Sequence, residues 1–384
     1  MRFEFSTAHR IVFGPGTLRE IGAVARDSGR HALVVTGRDA GRAQRLFDAL
    51  AAEKIAATHA VAAGEPTVDR VRAIALDARA AGCDFTIGFG GGSALDVAKA
   101  VAALLTNDGD LLDYLEVVGR GLPLGRPAAP CLAIPTTAGT GAEVTRNAVL
   151  AAPSLRTKAS LRHVSLLPRL ALVDPELTHG LPPALTAATG LDALTQLIEP
   201  YVSCRANPFT DSLCVQGIPR AAGALRRACA DGRDEAARTD LALASLFSGL
   251  ALANAGLGIV HGFAAPIGGM FAASHGAVCA CLLPHAMAAN LAAARARQPS
   301  GEIVRRYDEI ARLLTGRPHA TADDGVAWVR QLVADLAIPR LSTYGLAPAE
   351  VPSVVEKAAA ASSTKANPLP LTPAELTALL QAAL

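Results

Sequence analysis

From Leu241 to Ala294 the chain runs for 54 consecutive residues without an Asp, Glu, Lys or Arg. A stretch of that length and composition has to be wrapped by the rest of the chain or placed in a bilayer. All 36 basic and 34 acidic side chains therefore fall elsewhere, at a density ordinary for a globular protein. Leu241 to Val260 is long enough to span a membrane as a helix. Its chemistry favours burial in protein instead. Ala, Gly and Ser dominate, Asn254 sits inside, and no Trp or Tyr lies in the uncharged stretch to form an interfacial belt. The apolar residues that follow, to Met287, are interrupted by His261, Pro266, His275, Pro284 and His285, which lipid accommodates poorly. The segment is expected to be the buried helical centre of the molecule, with no membrane partner.

The remaining global features narrow the class. The 384 residues are 51% apolar and carry a net charge of +2, with no basic run. Disorder is excluded, and nucleic acid is not an expected partner. The opening residues MRFEFSTAHRIVFGPGTL lack the apolar core of a signal peptide. The seven cysteines (Cys83, Cys131, Cys204, Cys214, Cys229, Cys279 and Cys281) are odd in number and form no CxxC. They are expected to be reduced and mostly buried, in keeping with a cytoplasmic location.

Local patterning divides the chain near residue 180. Apolar runs at His31–Thr36, Ala57–Ala62, Asp84–Gly90 and Cys131–Thr137 alternate with amphipathic helical stretches. Continuous apolar strands in that alternation predict a doubly wound, mostly parallel sheet covered on both faces. The first residues, with a Gly-Pro-Gly turn, read as a hairpin-like pair. RLALVDPEL, from Arg169, ends the strand-rich part, and from Pro182 onward the pattern is helical. The expected division is an α/β domain over 1–180 and an all-helical domain over 181–384.

Four segments carry chemistry. In IGFGGGSALDVAKAVA, from Ile87, a strand enters Gly90, Gly91, Gly92 and Ser93 and a helix begins at once, with Asp96 near its start. Glycines admit a ligand close to the backbone, and free N–H groups at a helix start attract phosphate. A tight turn alone would explain the glycines, and the strand–loop–helix context favours the phosphate reading. PTTAGTGAEVT, from Pro135, places small and hydroxyl residues after another strand, where open α/β sheets bind ligands. In GLDALTQLIEPYVS, Asp192 and Gln196 share one helix face. An Asp there commonly caps or complements a helix dipole, but it is also an oxygen ligand for a divalent metal. His261 and His275 lie in the uncharged segment, where clustering shifts them from core residues towards a metal or catalytic site.

These four segments, in order along essentially the whole chain, resemble the signatures of the iron-containing (group III) alcohol dehydrogenases. The resemblance implies an N-terminal dinucleotide-binding domain and an all-helical C-terminal domain, in a dehydroquinate synthase-like architecture. It implies that Gly91, Gly92 and Ser93 contact the pyrophosphate with Gly90 and Asp96 nearby, that Thr136, Thr137 and Thr140 line the cofactor, and that Lys158 reaches a ribose. It further implies a divalent metal, Fe or Zn, at Asp192, Gln196, His261 and His275. Gln196 stands where the family carries a His, and an amide is a weaker ligand than imidazole for either metal. Ala265 is a second departure, at a position where many members have another His.

The end of the second strand bears on the cofactor. An acidic residue there binds the adenosine 2′-hydroxyl and repels a 2′-phosphate. Gly37 occupies the position and Arg38 follows, which leans towards NADP over NAD, with Asp39 close by. The expected function is hydride transfer between NAD(P)H and a small alcohol, aldehyde or ketone, with His261 and His275 as ligands or as donors to the reacting oxygen. A metal-independent reductase of the maleylacetate type and a non-catalytic nucleotide-binding relative are the alternatives. The former would need a cationic pocket group, for which Arg146, Arg162 and His163 are candidates. A homodimer or higher homo-oligomer is expected.

Overall fold

The computed structural model describes residues 2–116, 118–153, 157–299 and 301–384. The chain divides into two compact units, one of Ser6–Thr137 and Gly141–His179, the other of Met1–Phe5, Ala138–Thr140 and Gly180–Leu384.

The first unit contains strands β1 (Ile11–Phe13), β2 (His31–Thr36), β3 (Ala56–Val61), β4 (Phe85–Gly90), β5 (Cys131–Pro135), β6 (Asn147–Ala152), β7 (Thr157–Arg162) and β8 (Leu170–Val173). Its helices are α1 (Ile21–Arg26), α2 (Gln44–Ala52), α3 (Val68–Ala80), α4 (Gly92–Thr106) and α5 (Leu111–Tyr114). Six strands form one sheet in the order β1-β8-β5-β4-β2-β3, every neighbouring pair parallel. The period of two along β2 explains the layering: Leu33 and Val35 pack with Val71, Ile74 and Val97 of α3 and α4. Ala32 and Val34 pack on the other face with Ile21, Leu46 and Leu50 of α1 and α2. From β2 the chain steps outward to β3, then returns to β4 on the far side of β2. That reversal opens a crevice at the carboxyl ends of β2 and β4, the place where open α/β sheets take nucleotides.

The hairpin expected at the amino end does not form. Ile11–Phe13 instead joins the sheet edge parallel to β8. The Asp174 carboxylate, just past β8, accepts from the Gly16 and Leu18 amides at 3.0 and 3.1 Å, so the turn that suggested a hairpin is tied to a strand far along the chain. The antiparallel pair in this unit is β6 with β7.

The second unit is all helical: α6 (Pro183–Val202), α7 (Pro208–Ala230), α8 (Glu235–Ala255), α9 (Ile259–Met270), α10 (His275–Arg297), α11 (Glu302–Thr315), α12 (Ala322–Asp335), α13 (Val351–Ala360) and α14 (Pro373–Ala382). The uncharged segment supplies most of α8, all of α9 and most of α10. By length and composition α8 and α10 could each cross a membrane, yet 61% and 78% of their most apolar windows are buried inside the protein. Their Leu241, Val278, Leu282 and Leu283 belong to the core of the unit.

Candidate functional site

Three helices of the second unit bring one polar cluster into this apolar core. Asp192 lies in the middle of α6, His261 in the first turn of α9, and His275 opens α10, with Cys279 one turn further along. Asp192 Oδ1 is 3.5 Å from His261 Nε2 and 3.6 Å from His275 Nε2. Cys279 Sγ is 3.7 Å from both Nε2 atoms. One donor atom from each of the four residues lies within 4.8 Å of every other. The fold thus assembles Asp192, His261 and His275 and adds Cys279, which sequence reasoning passed over.

A second carboxylate sets the orientation of His261. Glu199, seven residues after Asp192 on the same face of α6, is buried, and its Oε2 accepts from His261 Nδ1 at 2.6 Å. Its Oε1 accepts from the Val260 amide at 2.7 Å. A carboxylate on Nδ1 directs Nε2 at the cluster and raises its basicity as a ligand. The Ile259 amide donates to Asn367 Oδ1 at 3.2 Å, so two side chains from distant parts of the unit satisfy the N–H groups at the start of α9. Asn367 is fixed in turn by Asn290, whose Oδ1 accepts from Asn367 Nδ2 at 2.8 Å.

The charges of the cluster favour a cation. Asp192 Oδ1 is buried with no hydrogen-bond partner among the described residues, a costly condition that a bound cation would relieve. Burial raises the Asp192 pKa, but His275 and His261 outweigh it and hold the carboxyl below its usual range. Burial also disfavours a charged His261, yet Cys279 and Glu199 beside it lift its pKa well above the ordinary value. His275 is raised in the same way by Cys279 and Asp192. An oxygen, nitrogen and sulfur donor set with an unsatisfied buried carboxylate fits a divalent transition metal.

Gln196 sits between Asp192 and Glu199 on α6, and its Oε1 accepts from Ser248 Oγ at 3.1 Å. His285 lies ten residues beyond His275 on α10 and is no member of the cluster. The seven cysteines are free thiols, five of them buried, with Cys204 exposed.

The nucleotide loop belongs to the first unit. A Cβ added at Gly90 would lie 2.6 Å from Ala94 Cβ and 3.2 Å from the Gly37 amide nitrogen, so the ends of β2 and β4 meet where only glycine fits. A Cβ at Gly91 would lie 3.3 Å from Thr137 Oγ1, and the Thr136 amide donates to the Gly90 carbonyl at 2.9 Å. Gly37, Gly90, Gly91, Thr136 and Thr137 thus border one crevice, with Gly92 and Ser93 opening α4. No side chain caps α4. Asp96 faces away from this loop: its Oδ2 accepts from the Val149 amide at 3.0 Å and its Oδ1 is 3.3 Å from Lys99 Nζ. Lys158 Nζ pairs with Glu65 at 2.7 Å. Arg38 is exposed beyond β2. Thr140 belongs, with Ala138 and Gly139, to the helical unit.

Comparison with known proteins gives one answer along the whole chain. The iron-containing alcohol dehydrogenase family model matches residues 8–175, and the C-terminal model of the Fe-containing alcohol dehydrogenase family matches residues 186–384. A probable alcohol dehydrogenase, EutG, of Salmonella typhimurium is 36% identical over 99% of this chain and 94% of its own length. A crystal structure of 1,3-propanediol oxidoreductase superposes with a TM-score of 0.92 at 32% identity, covering 100% of both chains. The sulfoacetaldehyde reductase of Bifidobacterium kashiwanohense, solved with NAD+, has a TM-score of 0.86 at 30% identity, covering 100% of this chain and 99% of its own.

Proposed function

The chain belongs to the iron-containing alcohol dehydrogenase family and is an oxidoreductase, and we propose that it reversibly reduces small aldehydes or ketones with NADPH at the Asp192–His261–His275 cluster. The observation that carries this reading is the buried Asp192 Oδ1, which makes no hydrogen bond among the described residues and faces two imidazole nitrogens at 3.5 and 3.6 Å.

Asp192, His261 and His275 would hold a divalent metal, which supplies Lewis-acid stabilisation of a developing alkoxide when bound. The nicotinamide supplies or accepts the hydride. The remaining work falls to the protein. Glu199 fixes the ring of His261, and α8, α9 and α10 contribute buried apolar residues to the core in which the cluster lies. His275 has a third of its side chain exposed, whereas His261 and Asp192 are nearly sealed, at 33% against 5% and 2%. The substrate oxygen is therefore expected to arrive on the His275 side. In the other unit, the glycines at the ends of β2 and β4 admit the pyrophosphate to the uncapped start of α4.

For the cofactor, Gly37 removes the carboxylate that would repel a 2′-phosphate, and Arg38 supplies a guanidinium beside it. The Asp39 carboxylate is engaged locally, accepting from the Gly41 amide at 3.1 Å. These features support NADP over NAD. Steady-state kinetics with both reduced nucleotides and a panel of short aldehydes and ketones test the proposal. NADPH is expected to have the higher kcat/KM, and Arg38→Ala to cut that preference by about tenfold, equivalent to roughly 1.4 kcal/mol. Absence of both turnover and nucleotide binding would overturn the reading, and a preference for NADH in the unaltered protein would overturn the choice of cofactor.

A further inference from the structure

We propose that Cys279 Sγ is itself a ligand of the metal, standing in for the weak amide of Gln196, and that the resulting Asp192–His261–His275–Cys279 site takes zinc in preference to iron. This rests on reading the cluster as a metal centre, and it is carried by distances rather than by the resemblance. Tetrahedral zinc with bonds of about 2.0–2.3 Å to nitrogen, oxygen and sulfur requires its donors to be about 3.4–3.6 Å apart. Of the six donor separations, four are 3.5, 3.6, 3.7 and 3.7 Å, on those edges or just outside them, and the His261–His275 and Asp192–Cys279 pairs lie within 4.8 Å. The sulfur sits among these donors because Cys279 follows His275 by one helical turn, so both project from the same face of α10.

Gln196 is differently placed. Its amide oxygen is engaged with Ser248, and a neutral amide competes poorly with a thiolate for a borderline metal. Binding displaces the protons carried by the donor atoms, those of the imidazole Nε2 atoms included, and they leave to solvent. The product is a site with two anionic ligands, Asp192 and Cys279, and two neutral imidazoles, at which a substrate oxygen would enter as a fifth neighbour. Thiolate favours zinc over iron(II), both by softness and by its place in the affinity order of divalent metals.

The test loads the full-length protein with cobalt(II) as a spectroscopic stand-in for zinc and records its absorption. A thiolate-to-cobalt charge-transfer band in the near ultraviolet at one equivalent of metal is expected in the unaltered protein. It should disappear in Cys279→Ser and persist in Gln196→Ala. Zinc affinity, measured against a competing chelator, should fall at least tenfold in Cys279→Ser. Zinc-edge X-ray absorption of the unaltered protein provides a readout that needs no variant to fold, and one sulfur neighbour is expected. A cobalt site without the charge-transfer band, or a zinc shell of nitrogen and oxygen alone, overturns the assignment. Failure to bind either metal overturns it as well. NADPH-dependent reduction persisting in that metal-free protein would leave the oxidoreductase reading standing.

Discussion

Glu199 shows how much a single side chain decides at this site. Its two oxygens serve different partners: one accepts a hydrogen bond from Nδ1 of His261 and the other from the Val260 amide. Glu199→Gln keeps the shape but not the charge, and metal affinity is expected to fall about 10- to 100-fold with little change in the helix start. Isothermal titration or chelator competition will read this directly, and an unchanged affinity would reduce Glu199 to a cap for α9. Asp192, His261 and His275 were legible in the sequence because each stands in a recognisable local pattern. Glu199 was not singled out, since a Glu in QLIEPY reads as an ordinary helix residue, although its spacing of seven from Asp192 already put both on one face. Cys279 was passed over for a different reason. Seven dispersed cysteines without a CxxC read as buried reduced thiols, and the informative relation is the one turn separating Cys279 from His275.

At the scale of elements, the site depends on how closely α6 and α10 approach. A Cβ at Gly276 would stand 2.5 Å from the Ala188 carbonyl oxygen, a backbone atom with little freedom to yield. Gly276→Ala must push the start of α10, and His275 with it, away from α6. Overpacking of this kind costs about 1–3 kcal/mol, and metal content should drop together with the denaturation midpoint. Normal stability with full metal occupancy would mean that the helices move without consequence. The alternation of strands and helices was readable because period and length distinguish continuous apolar strands from amphipathic helices. The partner of Ile11–Phe13 was not, because a three-residue strand contains no information about a neighbour more than 150 residues away, and here Asp174 makes the connection to Gly16 across 158 positions.

One contribution to the pH dependence of the molecule's stability is set in the first unit, remote in sequence from the metal ligands. Glu143 is buried, and burial, opposed by a backbone hydrogen bond and by the charge of Lys99, pushes its carboxyl from 4.5 to about 7. Between these values the folded chain binds a proton that the unfolded chain has released. The contribution of Glu143 to stability therefore falls as pH rises from about 4.5 to 7 and is flat above, by an amount on the order of 3 kcal/mol. Glu143→Gln removes the titrating group, so its stability relative to the unaltered protein should grow with pH across that window in calorimetry or denaturant unfolding. A constant difference from pH 5 to 8 would contradict the assignment. The uncharged segment, for its part, is accounted for by packing: its helices are the core of the second unit, and the carboxylates of the metal centre both come from α6.

The tether between Asn367 and the start of α9 also sets an order of events during synthesis. The Ile259 amide, in the turn that carries His261, gains its acceptor only when Asn367 has left the ribosome, more than a hundred residues after His261 does. Asn290, which steadies Asn367, emerges earlier and waits for the same residue. The nucleotide crevice, by contrast, is complete within the first half of the chain. A nascent chain, or a product cut short before Asn367, would carry every ligand of the metal centre and Glu199, and lack the acceptor that holds the start of α9.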